Sequence, residues 1–140
     1  MPAKFGDVTV SKVEVAKVQL DAAIAAYFEG RGIVAITLAG AAEEVFGSML
    51  RRDCIQNSVE KIASLSPLIA RYGERNERID FLNEVKNNLK HASDSSEDTF
   101  SIAEFDPFVM IVRALANSEL LNIEDTLAMK AFRCLYKSNA

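Results

Sequence analysis

The chain is 140 residues long, 49% apolar, 26% charged and 8% aromatic, with 16 basic against 20 acidic side chains and a formal net charge of −4. A single domain of this size buries roughly 70% of the surface its unfolded chain would expose, so a full apolar core is available. Disorder, a collagen-like repeat and a disulfide-built miniprotein are excluded by composition, and the acidic balance argues against general affinity for nucleic acid or anionic membrane.

The first residues lack the charged start and apolar run of a secretory signal. The most apolar stretches, 33–42 and 105–116, are shorter than the ~20 residues needed to cross a bilayer, so no membrane contact is expected. Cys54 and Cys134 read as free thiols, and the protein as cytoplasmic.

Ser11 and Glu14 form a capping box ahead of an apolar stripe at Val13, Ala16, Leu20, Ile24 and Tyr27, which predicts a helix over 11–29 stopped by Gly30 and Gly32. A second helix over 33–50 is apolar on more than one face. Its stripe is Val34, Leu38, Ala41, Val45 and Met49, extended by Ala42 and Phe46. The small residues 39–42 invite close approach of another helix, and Glu43-Glu44 is its first polar face. Such a helix is expected at the centre of a fold.

A third helix starts near Ser58, and Ser66-Pro67 opens a further short turn that ends at Gly73. The fourth, over 76–91, has Ile79, Leu82, Val85 and Leu89 as its apolar stripe. Residues 92–104 form an acidic, serine-bearing loop. Asp106-Pro107 opens a fifth, strongly apolar helix through Phe108, Ile111, Val112 and Leu115, broken at Asn117-Ser118. A sixth runs over 122–137, with Asn122 as cap and Leu127, Ala131, Cys134 and Leu135 inward. The whole chain, 1–140, therefore reads as one all-α domain, a bundle of five to six helices with the two apolar ones central.

Several chemistries are absent. There is no phosphate-binding glycine loop, no GxSxG elbow and no CxxC, and with one histidine a Cys/His metal site is not expected. No cofactor is expected either. What remains is Lys86-Asn87-Asn88-Leu89-Lys90-His91, followed by Asp94. His91 supplies the chain's one imidazole, the side-chain type whose unperturbed pKa lies near neutrality. Asn87 and Asn88 precede it by four and three residues, a spacing that shares a helix face. Lys86 and Lys90 add positive charge. A proton carrier, amide donors and cations are what in-line phosphodiester cleavage requires.

This spacing resembles the Arg-Asn-x-x-x-His signature of the HEPN superfamily, dimerising helical proteins that include metal-independent endoribonucleases. Lys86 stands where that family has arginine, while Asn87 and His91 are in register. The resemblance implies His91 and Lys86 as catalytic residues and Asn87 as their support, with RNA as substrate. A broader likeness is to bacterial all-helical proteins with no assigned activity. It is carried by a first helix like Val15 to Ile24, a second like Thr37 to Val45, and a motif like Asn88 to Asp94.

A ligand site is also expected where Glu43 or Glu44 faces His91, with Asn88, Lys90 and Asp94 contributing. The leading expectation is a homodimeric binding or protein-interaction module, because two strongly apolar helices leave more apolar surface than six helices bury. The interface patch is expected to include part of the fifth or sixth helix.

Overall fold

The computed structural model describes residues 6–137 and contains seven α-helices and one short 3-10 turn: α1 (Lys12–Phe28), α2 (Gly32–Arg52), α3 (Ser58–Ala63), α4 (Ser66–Arg71), α5 (Arg75–Asn88), the turn Ser95–Glu97, α6 (Asp106–Leu120) and α7 (Leu127–Lys137). No strand occurs among the described residues. The fold is an all-α bundle, and the seventh helix in the count is the short turn expected after Pro67.

Local chemistry sets the boundaries. The Ser11 hydroxyl accepts from the Glu14 N–H at 3.1 Å, the side-chain half of the expected capping box, while the Glu14 carboxylate lies 3.9 Å from Lys17. Gly30, at φ 75°, closes α1 in the left-handed region, and Gly32 already belongs to α2. A Cβ at Gly32 would meet Pro107 at 3.2 Å, so α6 begins against this glycine.

Four helices make the core. Its fully buried members are Ala16, Leu20, Ala23 and Ile24 of α1, Ala39, Ala42 and Phe46 of α2, Met110, Ile111, Ala114 and Leu115 of α6, and Met129 and Phe132 of α7. α1 and α2 are antiparallel across a tight turn, whereas α7 packs chiefly on α1 and meets α6 through the side chains of Arg133 and Phe132. α2 and α6 run the same way: Gly32 abuts Pro107, Glu43 reaches Arg113, and Gly47 abuts Asn117. Parallel neighbours cannot be joined by a short turn, so residues 53–105, with α3, α4 and α5, form a long crossover.

Three apolar stripes differ from the sequence expectation. In α2 the buried arc is Ala35, Ile36, Ala39, Ala42, Glu43, Phe46 and Leu50, whereas Val34, Leu38, Ala41, Val45 and Met49 are only half-buried. A helix apolar nearly all round offers two faces, and contact with α1 and α6 selects the one with Phe46. In α7 the chain stays irregular through Thr126, whose hydroxyl accepts from the Met129 N–H, and Asn122 is a left-handed turn residue rather than a cap. The inward face is then Met129 and Phe132, with Leu135 and Tyr136 half-buried against the core, and Leu127, Ala131 and Cys134 are exposed. In α5 the apolar residues are half-buried and the one buried side chain is Lys86.

Asn117 and Ser118 do not break α6. Asn117 bonds across the fold to Ser58 and Glu43, while Ser118 donates to the Leu115 carbonyl one turn back in α6 and accepts from Arg133 of α7. Asp106 is the first residue of α6 and its carboxylate turns back to the Ala103 N–H at 2.7 Å. α7 is tied to α6 by Arg133, which donates to Asp125, Glu119, Ser118 and the Leu115 carbonyl. Burial works against this guanidinium, but the bond to Asp125, the charge of Asp125 and Tyr136 together raise its pKa.

By length and composition alone α2 is able to cross a bilayer; half of its apolar window is buried inside the fold, the pattern of a bundle's central helix. Cys54 and Cys134 are both free and exposed.

Candidate functional site: a buried charge cluster beneath a polar cleft

Glu43 lies on the buried arc of α2 and is 2% exposed. A carboxylate so placed is tolerated when its charge is paired, and each of its oxygens takes one cation. Oε1 accepts from Arg113 of α6 at 3.2 Å, and Oε2 from Lys86 of α5 at 3.2 Å. Arg113 also donates to Asn83 Oδ1 at 2.6 Å and to the Leu82 carbonyl at 2.8 Å. One guanidinium thus fastens α6 to both α2 and α5.

Lys86 reaches Glu43 because α2 has a glycine beneath its stem. A Cβ at Gly40 would lie 2.8 Å from Lys86 Cδ and 2.9 Å from Cγ. The space made by the small residues of α2 is therefore taken at Gly40 by a lysine stem rather than by a helix backbone.

A second layer is built from amides. Asn117 donates to the Glu43 carbonyl at 3.1 Å and accepts from the Ser58 N–H at 2.7 Å, while the Ser58 hydroxyl donates to the Arg113 carbonyl. Asn57 caps α3 through the Glu60 N–H and donates to the Gly47 carbonyl at 3.4 Å. Over this floor opens a polar cleft of about 260 Å³, walled by Arg51, Asn57, Glu60, Arg75, Asn83 and Lys86. The cluster supplies fixed charges and amide dipoles held by three helices. That arrangement suits binding and orientation, since its carboxylate and both cations are engaged with one another.

Of the residues expected from sequence, the structure brings Glu43, Glu44, Lys86 and Lys90 together. Glu44 is exposed and lies 3.9 Å from Lys86 and 3.5 Å from Lys90. Glu43 is not part of a polar face of α2, and its partners are Lys86 and Arg113. α5 ends at Asn88, so Asn87 and Asn88 occupy its last turn, Leu89 and Lys90 form the turn that follows, and His91 lies beyond it. His91 therefore does not extend a helix face with the two asparagines, and its side chain is exposed. Asp94 caps the short 3-10 turn, where the Ser96 N–H and hydroxyl hold its carboxyl below the usual aspartate range. No group of three or more His, Cys, Asp or Glu side chains placed to share a metal ion occurs among the described residues.

Arg113, Asn57 and Asn83 were not singled out from sequence, and Ser58 and Asn117 were read only as a helix start and a helix break. One signal pointed to the first: each of the two most apolar helices carries a charge amid its apolar run, Glu43 on one and Arg113 on the other, of opposite sign. No family model matches the chain, and neither a curated protein nor a solved structure matches it.

Proposed function

We propose that this chain is a cytoplasmic helical binding module that works as a homodimer. The supporting observation is the apolar surface at the end of the bundle where α1 meets α2 and α6 begins. Phe28, Ile33 and Phe105 are 57%, 61% and 63% exposed there, beside a depression of about 740 Å³. Below them Tyr27, Phe108, Phe132 and Tyr136 form a ring cluster with centroids 5.4–6.3 Å apart. Exposed aromatic and aliphatic side chains gathered in one place mark interaction surfaces. A two-fold axis sets such a patch against its own copy. At the rim Arg31 faces Glu29 at 3.9 Å, so the two charges offset each other where a second copy would approach. The free thiols fit a reducing compartment.

Sedimentation equilibrium tests the reading. The wild-type protein is expected to be a dimer, and Ile33→Glu or Phe105→Glu a folded monomer by circular dichroism. A wild-type monomer at ~100 µM, a concentration at which even a weak complex of ~10 µM Kd is mostly formed, refutes it.

A second reading, RNA cleavage, draws on the exposure of His91 next to Lys90. It requires Lys86 to exchange Glu43 for a phosphate or to act from within the cluster. RNA cleavage abolished by His91→Ala supports it, and absence of cleavage removes it.

A further inference from the structure

The half-buried stripe of α2 has a use of its own at the end of the helix opposite the aromatic patch. Ala41, Val45 and Met49 floor a cleft of about 520 Å³, and its rim carries Lys12 from the first turn of α1, Arg52 from the last turn of α2 and Lys90 from the turn after α5. Glu44 is the one carboxylate in this lining and is engaged by Lys90 at 3.5 Å. Lys12 and Arg52 make no ion pair with any described residue, so the cleft holds an excess of two positive charges in a protein whose net charge is −4. Ligand sites are concave, largely apolar and carry a few convergent polar groups, at volumes of roughly 300–1,000 Å³. An apolar floor under a cationic rim is complementary to one kind of molecule: an apolar chain ending in an anion.

We propose that the cleft between the start of α1 and the ends of α2 and α5 binds a small amphipathic organic anion, its chain against Ala41, Val45 and Met49 and its carboxylate or phosphate between Lys12 and Arg52. Val45 packs against the core on one side and, with Ala41 and Met49, presents its remaining surface to the cleft. The cleft and the aromatic patch lie at opposite ends of α2, so the site stands whether or not the chain dimerises.

Isothermal titration of the full chain with sodium decanoate tests this, with hexanoate, decylamine and phosphatidylglycerol vesicles as the other arms. Decanoate is expected to bind saturably at one site per chain. Hexanoate is expected to bind more weakly, by roughly fourfold for each methylene withdrawn from the floor, and decylamine not at all. The Lys12→Gln/Arg52→Gln variant, altered only at exposed positions, is expected to fold as wild type. Its decanoate affinity should fall by roughly two- to thirtyfold, the range spanned by two exposed ion pairs. Absence of decanoate binding, equal binding of decylamine, or wild-type affinity in the double variant overturns the proposal. Binding to the vesicles without binding of free decanoate overturns it in favour of a lipid surface.

Discussion

Replacing Glu43 by glutamine removes the single carboxylate that two buried cations share. Lys86 and Arg113 have side chains only 7% and 3% exposed, and the next carboxylate, Glu44, is 3.9 Å from Lys86 but itself 56% exposed and so screened by water. Taking away one partner of a buried ionic group leaves uncompensated charge and costs about 3–5 kcal/mol. Glutamine keeps one acceptor oxygen, which places Glu43→Gln near 3 kcal/mol, a large share of the roughly 5–15 kcal/mol that holds a domain folded. At about 3–4 °C per kcal/mol for a chain of this size, Tm falls by about 10 °C. Lys86→Met makes the opposite change. It keeps the aliphatic stem over Gly40 and leaves Glu43 paired with Arg113, so the buried cluster becomes neutral and stability stays within about 1 kcal/mol of wild type. Urea unfolding followed by circular dichroism separates the two: the midpoint for Glu43→Gln drops at unchanged slope, and that for Lys86→Met barely moves. If Glu43→Gln costs under ~1 kcal/mol, or Lys86→Met costs as much as Glu43→Gln, the view of Glu43 as shared counter-ion is wrong.

Gly40→Ala gains about 1 kcal/mol of helix propensity but drives its methyl into the Lys86 stem at a cost of about 1–3 kcal/mol, a net loss. In a Lys86→Ala background the same change is expected to stabilise, and a thermal-melt double-mutant cycle without that sign reversal discards the contact. Asn117→Ala strands the Ser58 N–H in the interior and removes the second bond to the Glu43 carbonyl, which keeps its helical partner, and is expected to lower stability by about 1–3 kcal/mol in urea titration; a loss below ~0.5 kcal/mol would mean that water replaces the amide. The lowered pKa of Asp94 means that its carboxylate favours the Ser95–Glu97 turn above the ordinary aspartate pKa, and that this contribution is lost as pH falls through the lower folded value. A carboxyl NMR titration is expected to give a midpoint under ~3.9, accompanied by movement of the Ser96 amide; a midpoint at or above that value contradicts the cap.

The fold was largely legible because its helix signals are local. Ser11, Gly30 and Pro67 act within one turn of themselves, and the apolar density of 33–50 and 106–115 marks α2 and α6 as central whichever face turns inward. The choice of face was not legible. In α2 the apolar residues leave two candidate arcs, and the decision rests on the partners that meet Phe46 and Glu43. In α7 the helix starts only after Thr126, and its contact with α1 selects the face that carries Met129 and Phe132. The candidate site was half legible for the same reason. Lys86 and Glu43 stood out as charges, but their pairing spans 43 residues, and the bond from Glu43 to Arg113 spans 70. Nothing in the neighbourhood of either residue encodes such a contact.

The parallel alignment of α2 with α6 also orders the events of folding. α1 with α2 is a hairpin of neighbouring helices and forms from local contacts, whereas α7 packs chiefly on α1, far away in sequence. Docking α6 on that hairpin closes the loop 53–105, whose entropic cost rises by only about 0.6 kcal/mol for each doubling of its length. The crossover is therefore almost free to vary in length but not in timing. Arg113 has partners on α2 and α5 at once, and its charge is compensated only when both have arrived. The joint arrival of α2, α5 and α6 is then the expected slow step, and substitutions that weaken α5 are expected to slow refolding in stopped-flow measurements.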